Sequence, residues 1–93
     1  MITKIEIPKY NPEQGFEFKW QDNYAIKVEI TEDREVLISA NKEGLISLAT
    51  LFLTLAQDSI PSPFGHFHLT EYDSLEEGSS ELIVQKNNND KTQ

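Results

Sequence analysis

His66-Phe67-His68 is the sharpest chemical feature of the sequence. On a strand, alternation aims both imidazoles at one face, where two ring nitrogens can grip a divalent metal. Glu71 or Asp73 could add a third ligand, but the chain holds no further histidine and no cysteine, and a zinc site needs three or four ligands. Paired histidines on a strand more often bond backbone, hydroxyls or water. A metal-binding or small hydrolytic domain using His66, His68 and Asp73 is therefore an alternative rather than the leading expectation, and no cofactor is expected.

Tyr72-Asp73 with Glu76, Glu77 and Glu81 invites comparison with a glycosidase carboxylate pair, which needs one raised and one ordinary pKa across a cleft. Carboxylates in a turn beside Gly78 and Ser79 should instead be solvated, and so short a chain has little room for a substrate cleft beside its core. Phosphate-cradling loops, nucleophile elbows and zincin helices have no matching pattern in the sequence. The acids Glu71, Asp73, Glu76, Glu77 and Glu81 nevertheless form the densest charge run, with no Lys or Arg among them. Such a run is usually a solvated face. On a turn held between two strands it can also steer and anchor a basic protein surface. Glu71, Tyr72, Asp73, Glu76, Glu77 and Glu81 are the expected partner-binding residues, and no catalytic residue is expected.

Charge supports a protein partner over a polyanion. Sixteen acidic against eight basic residues give a net charge of −8, which disfavours a phosphate backbone or an anionic membrane surface. The absence of cysteine removes disulfides and thiolate sites and suits a cytoplasmic location. The N-terminus has no signal-peptide pattern, and the longest apolar block, Leu45 to Ala56, is shorter than the roughly 20 residues of a membrane span.

The elements that must position these residues follow from periodicity. With 93 residues, one domain over 1–86 is expected, with a polar, disordered tail over 87–93. Period-two alternation predicts strands over Ile2 to Ile7, Phe16 to Trp20, Tyr24 to Thr31, Val36 to Ala40, His66 to Tyr72 and Ser80 to Lys86. Phe16, Phe18 and Trp20 share one face, and their strand should form a hairpin with Tyr24 to Thr31, against which Val36 to Ala40 can fold back to give a meander. Asn41 is a good N-cap for a helix from about Lys42 to Gln57. On that helix Leu45, Leu48, Ala49, Phe52, Leu55 and Ala56 read as the core face, with Ser47, Thr50, Thr54 and Gln57 as an outer polar stripe. Apolar surface left over at Leu51, Leu53 and Leu37 suggests a partner or a homodimeric structural module. The expected fold class is α+β, an antiparallel sheet of about six strands packed by one long helix.

The second half carries a further signal: Asn41-Lys42-Glu43-Gly44-Leu45, the leucine-rich helix to Ala56, Gly65-His66-Phe67-His68-Leu69, and Leu75-Glu76-Glu77-Gly78-Ser79-Ser80-Glu81-Leu82-Ile83-Val84. This order resembles the bacterial immunity proteins of polymorphic toxin systems, family 32, over residues 41 to 86. The resemblance implies a non-catalytic cytoplasmic antitoxin that binds and neutralises a cognate toxin domain; the chain itself is expected to be a monomer or a homodimer. It places Gly65, His66, His68, Gly78, Ser79, Glu81 and Leu82 at family-like positions, most of them suited to holding the fold.

Overall fold

The structure is a computed structural model that describes residues 1–61 and 65–87. In chain order the elements are β1 (Ile26–Ile30), β2 (Val36–Ala40), α1 (Lys42–Leu55), β3 (His66–Leu69) and β4 (Leu82–Gln85). They form an α+β arrangement of one helix and two separate two-stranded antiparallel sheets, β1-β2 and β3-β4.

The β1-β2 hairpin follows its alternation: Ile26 and Val28 are buried while Lys27 and Glu29 are not. Thr31 closes the turn, its N–H donating to Glu35 O at 2.9 Å and its hydroxyl accepting from Glu35 N–H at 3.0 Å. Ladder bonds at Thr31-Glu35 and Asn41-Ala25 bracket a register in which Ile26 faces Ala40. That parity turns the backbone groups of Val36, Ile38 and Ala40 away from β1, to an edge with no partner strand among the described residues.

Asn41 ends β2 and starts α1. Its Oδ1 accepts from Gly44 N–H at 2.7 Å and from Ala25 N–H at 3.0 Å, and its Nδ2 donates to Asn23 O at 2.9 Å. One side chain thus caps the helix and ties it to the entry of β1. Contact is so close there that a Cβ on Gly44 would lie 2.5 Å from Ala25 O. At the other end, where the last turn carries no basic residue, Lys86 donates from Nζ to the carbonyls of Gln57 and Ile60.

The helix is rotated relative to the sequence expectation. Leu48, Leu51 and Leu55 are buried as the apolar centre, and Ser47, Thr50 and Thr54, expected on the outside, are buried with them. Leu45, Phe52 and Leu53 are exposed. The hydroxyls make this possible. Thr50 and Thr54 donate to the carbonyls four residues back, and the Ser47 hydroxyl oxygen accepts from Gln21 N–H, so each buried hydroxyl has a hydrogen-bond partner. Gln57 acts likewise, accepting from Tyr10 N–H while its Nε2 donates to Pro8 O and Thr54 O.

These bonds explain the main departure from the expected sheet of about six strands. Residues 2–7 and 16–20 alternate but form no strand. Their segment runs beside α1, held at Gln21 by Ser47 of the helix and at Tyr10 by Gln57 just past its end, and among the described residues only an isolated bridge pairs Asn11 with Gly15. Phe16 and Trp20 still pack against the core. Leu51, expected as partner surface, is fully enclosed, whereas Leu37 and Leu53 are exposed as expected. Residues 62–64 and most of the expected tail, 88–93, lie outside the described residues.

The second sheet sets Phe67 against Val84 and Leu69 against Leu82, with Phe67 and Leu69 buried in the core. His66, His68 and Ile83 take the outer face.

Gly44→Ala tests the helix-strand contact. Ala normally favours a helix by about 1 kcal/mol over Gly. Here the added methyl meets a backbone oxygen, so denaturant unfolding should show a loss of about 1–3 kcal/mol instead.

Candidate functional site

The acidic segment is built on two turns. In the first, Thr70 O accepts from the N–H groups of Asp73, Ser74 and Leu75, and Leu75 is buried in the core. Asp73 Oδ1 closes the turn, accepting from Thr70 N–H at 3.0 Å and from the Ser74 hydroxyl at 2.8 Å. The second turn lies along the free side of β1. Glu76 N–H donates to Ile26 O at 2.9 Å, Ser80 N–H donates to Val28 O at 2.8 Å, and the buried Ser79 hydroxyl accepts from Val28 N–H at 3.1 Å. Gly78 has φ +86 and donates its N–H to Glu71 Oε1 at 3.1 Å.

This geometry divides the six residues expected to bind a partner. Glu71 and Asp73 are engaged with backbone, and Glu81 Oε2 lies 2.6 Å from His68 Nδ1. Glu76 and Glu77 are exposed, and their carboxylates have no partner among the described residues. Tyr72 is 90% exposed. Tyr72, Glu76 and Glu77 are therefore exposed, the two carboxylates without an internal partner, whereas Glu71, Asp73 and Glu81 are tied to backbone or to His68.

Beside the first turn lies an open cleft of about 230 Å³ lined by Phe18, Trp20, His68, Leu69, Asp73 and Ser74. Phe18, Trp20 and Ser74 were not singled out by sequence as site residues. Aromatics alternating with charges read as buried strand, yet Phe18 is 41% exposed. Trp20 stacks on Tyr24 with centroids 4.5 Å apart. The Asp73 carboxyl is held below the ordinary aspartate range, first by the Ser74 hydroxyl and then by Thr70 N–H. Burial raises the Tyr24 phenol, and the Asp73 charge raises it further.

His66 and His68 do share the outer face of β3, with ring centroids 5.0 Å apart. Asp73 does not join them as a ligand set: among the described residues no three His, Asp or Glu side chains converge as a metal site. His68 is turned to Glu81 instead.

Residues 35–87 match the family described as Immunity protein 32. The chain belongs to that family. The match covers more than half of the chain and takes in β2, α1, β3, β4 and both acidic turns. No curated protein and no solved structure matches the chain. Membership of an immunity family accords with a site rich in recognition groups and suggests a non-enzymatic role. Several of the family-like positions have structural work here. A Cβ on Gly65 would meet Ile60 Cγ2 at 2.5 Å, Ser79 pairs with β1, and Leu82 packs against the core. Among the described residues no helix is long and apolar enough to cross a membrane.

Because the Asp73 pKa is depressed in the folded state, its stabilising contribution is present above the ordinary aspartate value and is lost as pH falls through its own lower value. Ser74→Ala removes the largest cause, so the Asp73 carboxyl carbon, followed by NMR, should titrate closer to the ordinary range. An unchanged midpoint would contradict this assignment.

Proposed function

We propose that this protein is a cytoplasmic, non-catalytic immunity protein that binds and neutralises a toxin domain through the face bearing Tyr72, Glu76 and Glu77. One observation carries this reading: in a member of an immunity family, an almost fully exposed tyrosine on one braced turn is followed, on the next, by two carboxylates that have no internal partner. Exposed aromatics are typical interface anchors once a partner buries them, and fixed charge raises the rate of encounter. The net charge of −8 favours a basic protein surface over a nucleic acid or an anionic membrane. Glu71, Asp73 and Glu81 are included in the proposed surface, held in place by Gly78 N–H, Thr70 N–H and His68 respectively.

A tagged pull-down from the native lysate, read by mass spectrometry, should capture one stoichiometric partner that is toxic when expressed alone and harmless beside this chain. Against that partner, Tyr72→Ala should weaken binding by about 1–2 kcal/mol or more, as truncated anchors do. Glu76→Lys with Glu77→Lys should slow association at low salt, the difference shrinking as the Debye length falls to about 8 Å. Capture unaffected by these variants would move the interface elsewhere.

A second reading, a homodimer, is favoured by the free edge of β2. Val36 is 61% exposed, Leu37 and Ile38 are also exposed, and the five residues carry no charge to guard the edge. Antiparallel self-pairing centred on Leu37 would set Val36 opposite Ile38 of the second copy on one face and Leu37 against Leu37 on the other. Sedimentation should then show a concentration-dependent dimer that Leu37→Lys dissociates. A monomer at all concentrations rejects it.

A further inference from the structure

The cleft beside the acidic turn holds a combination found nowhere else among the described cavities: an aromatic wall and a fixed carboxylate, with none of the chain's own Lys or Arg among its lining residues. The wall is a ladder of rings. Phe18 and Trp20 lie nearly parallel, 13° apart, with centroids at 6.2 Å, and Tyr24 backs Trp20 at 15°. Tyr24 supports one side of the indole, and the half-exposed Phe18 leaves aromatic surface open to a ligand. Phe18 also packs edge-on against the buried Phe67, which limits its freedom to swing away.

Asp73 is equally constrained. The hydrogen bonds from Thr70 N–H and from the Ser74 hydroxyl both go to Oδ1, and the Thr70 hydroxyl and the N–H of Asp73 itself also act on the carboxylate. The carboxylate therefore has a set orientation, with Oδ2 outside the Thr70 N–H and Ser74 bonds. His68 lines the same cleft, but its Nδ1 is engaged with Glu81.

We propose that this cleft is an anchor site for a guanidinium group, supplied by an arginine side chain of the protein partner, which stacks on the Phe18 and Trp20 rings and donates N–H bonds to Asp73 Oδ2. The source of the arginine rests on the toxin-binding reading, whereas the chemistry of the cleft does not. A flat, weakly hydrated cation suits this site better than an ammonium, because it can stack and donate in its plane at once. A neutral apolar side chain would leave the carboxylate unused, and a phosphate would be repelled by it.

The chain has a single tryptophan, so Trp20 reports on the cleft directly through its fluorescence and its indole N–H resonance. The probe is N-acetyl-arginine methylamide, compared with N-acetyl-citrulline methylamide, which has nearly the same shape and no charge. The arginine probe should give a saturable Trp20 response, and the citrulline probe should bind roughly threefold to tenfold more weakly, the range for one exposed ion pair with a cation-π contact. Asp73→Asn, which keeps an Oδ1 acceptor for Thr70, should remove the ion-pair part of the difference and bring arginine binding closer to that of citrulline. Glu32→Gln, in the exposed β1-β2 turn, removes the same charge outside the cleft and should change binding less than about twofold, as expected for a screened, non-contacting charge. Equal binding of the two probes, no saturable response, or equal losses in the two variants would overturn the proposal. The comparison of probes on the unaltered protein stands even if Asp73→Asn misfolds. A flat Trp20 response beside intact toxin capture would remove the anchor and leave the toxin reading in place.

Discussion

The backbone of β1 is the constraint on which the rest depends. One edge pairs with β2 in register, and the other receives Glu76 N–H at Ile26 O and Ser80 N–H at Val28 O, with the Ser79 hydroxyl meeting Val28 N–H. A two-stranded sheet is marginal in water by itself. Here two of them are joined through a strand that spends both edges, and Ile26 and Val28 drive their side chains into the shared core. Val28 N–H is buried, so Ser79 matters beyond the single bond it makes: without that oxygen, a donor would be left in an apolar setting, at a cost of about 1–3 kcal/mol.

Function inherits this constraint. An acidic loop that moved freely would lose ordering entropy when it bound a partner. This one is already ordered by bonds to β1, by Leu75 in the core, and by two of its own acids turned back onto Thr70 and Gly78 N–H groups. The acid run thus serves two purposes. Glu71 and Asp73 satisfy backbone donors that would otherwise face water, and Glu76 and Glu77 remain exposed. A count of charges in the sequence cannot separate these roles, because the difference lies in which carboxylate the turn brings within reach of an N–H.

The same distinction explains what the sequence revealed of the fold. Asn41 as a cap, the β1-β2 hairpin, the helix span to within two residues, and the strand carrying both histidines were readable because each depends on neighbours in the chain. The helix orientation was not. Thr50 and Thr54 look polar in composition but bond within their own helix, so they can be buried almost as freely as valine. Once that stripe turns inward, the N-terminal segment is drawn alongside α1 and cannot add strands to a sheet. Its alternation still seats Phe16 and Trp20 against the core and leaves Phe18 half exposed at the cleft, although its backbone bonds to Ser47 and Gln57 instead of to a ladder. The cleft was illegible for the same reason: Phe18, Trp20 and Asp73 meet only because this long-range packing brings residues some fifty positions apart to one place.

The reach of the family match fits this division of labour. It begins at Glu35, after β1, although β1 is the hub of the fold. What β1 contributes outward is mostly backbone N–H and C=O, which any strand-forming sequence provides, together with two apolar side chains pointing inward. The later half asks for particular residues at particular places: an amide at Asn41 that serves three partners, no Cβ at Gly44 or Gly65, a positive φ at Gly78, and a hydroxyl at Ser79. Requirements of that kind leave a recognisable sequence pattern, whereas a strand valued for its backbone leaves only alternation. The site on the acidic turns therefore sits where the fold is most specified by side chains. The N-terminal aromatics that complete its cleft come from a segment outside the family match, held to that frame by packing on the core and by its backbone bonds to Ser47 and Gln57.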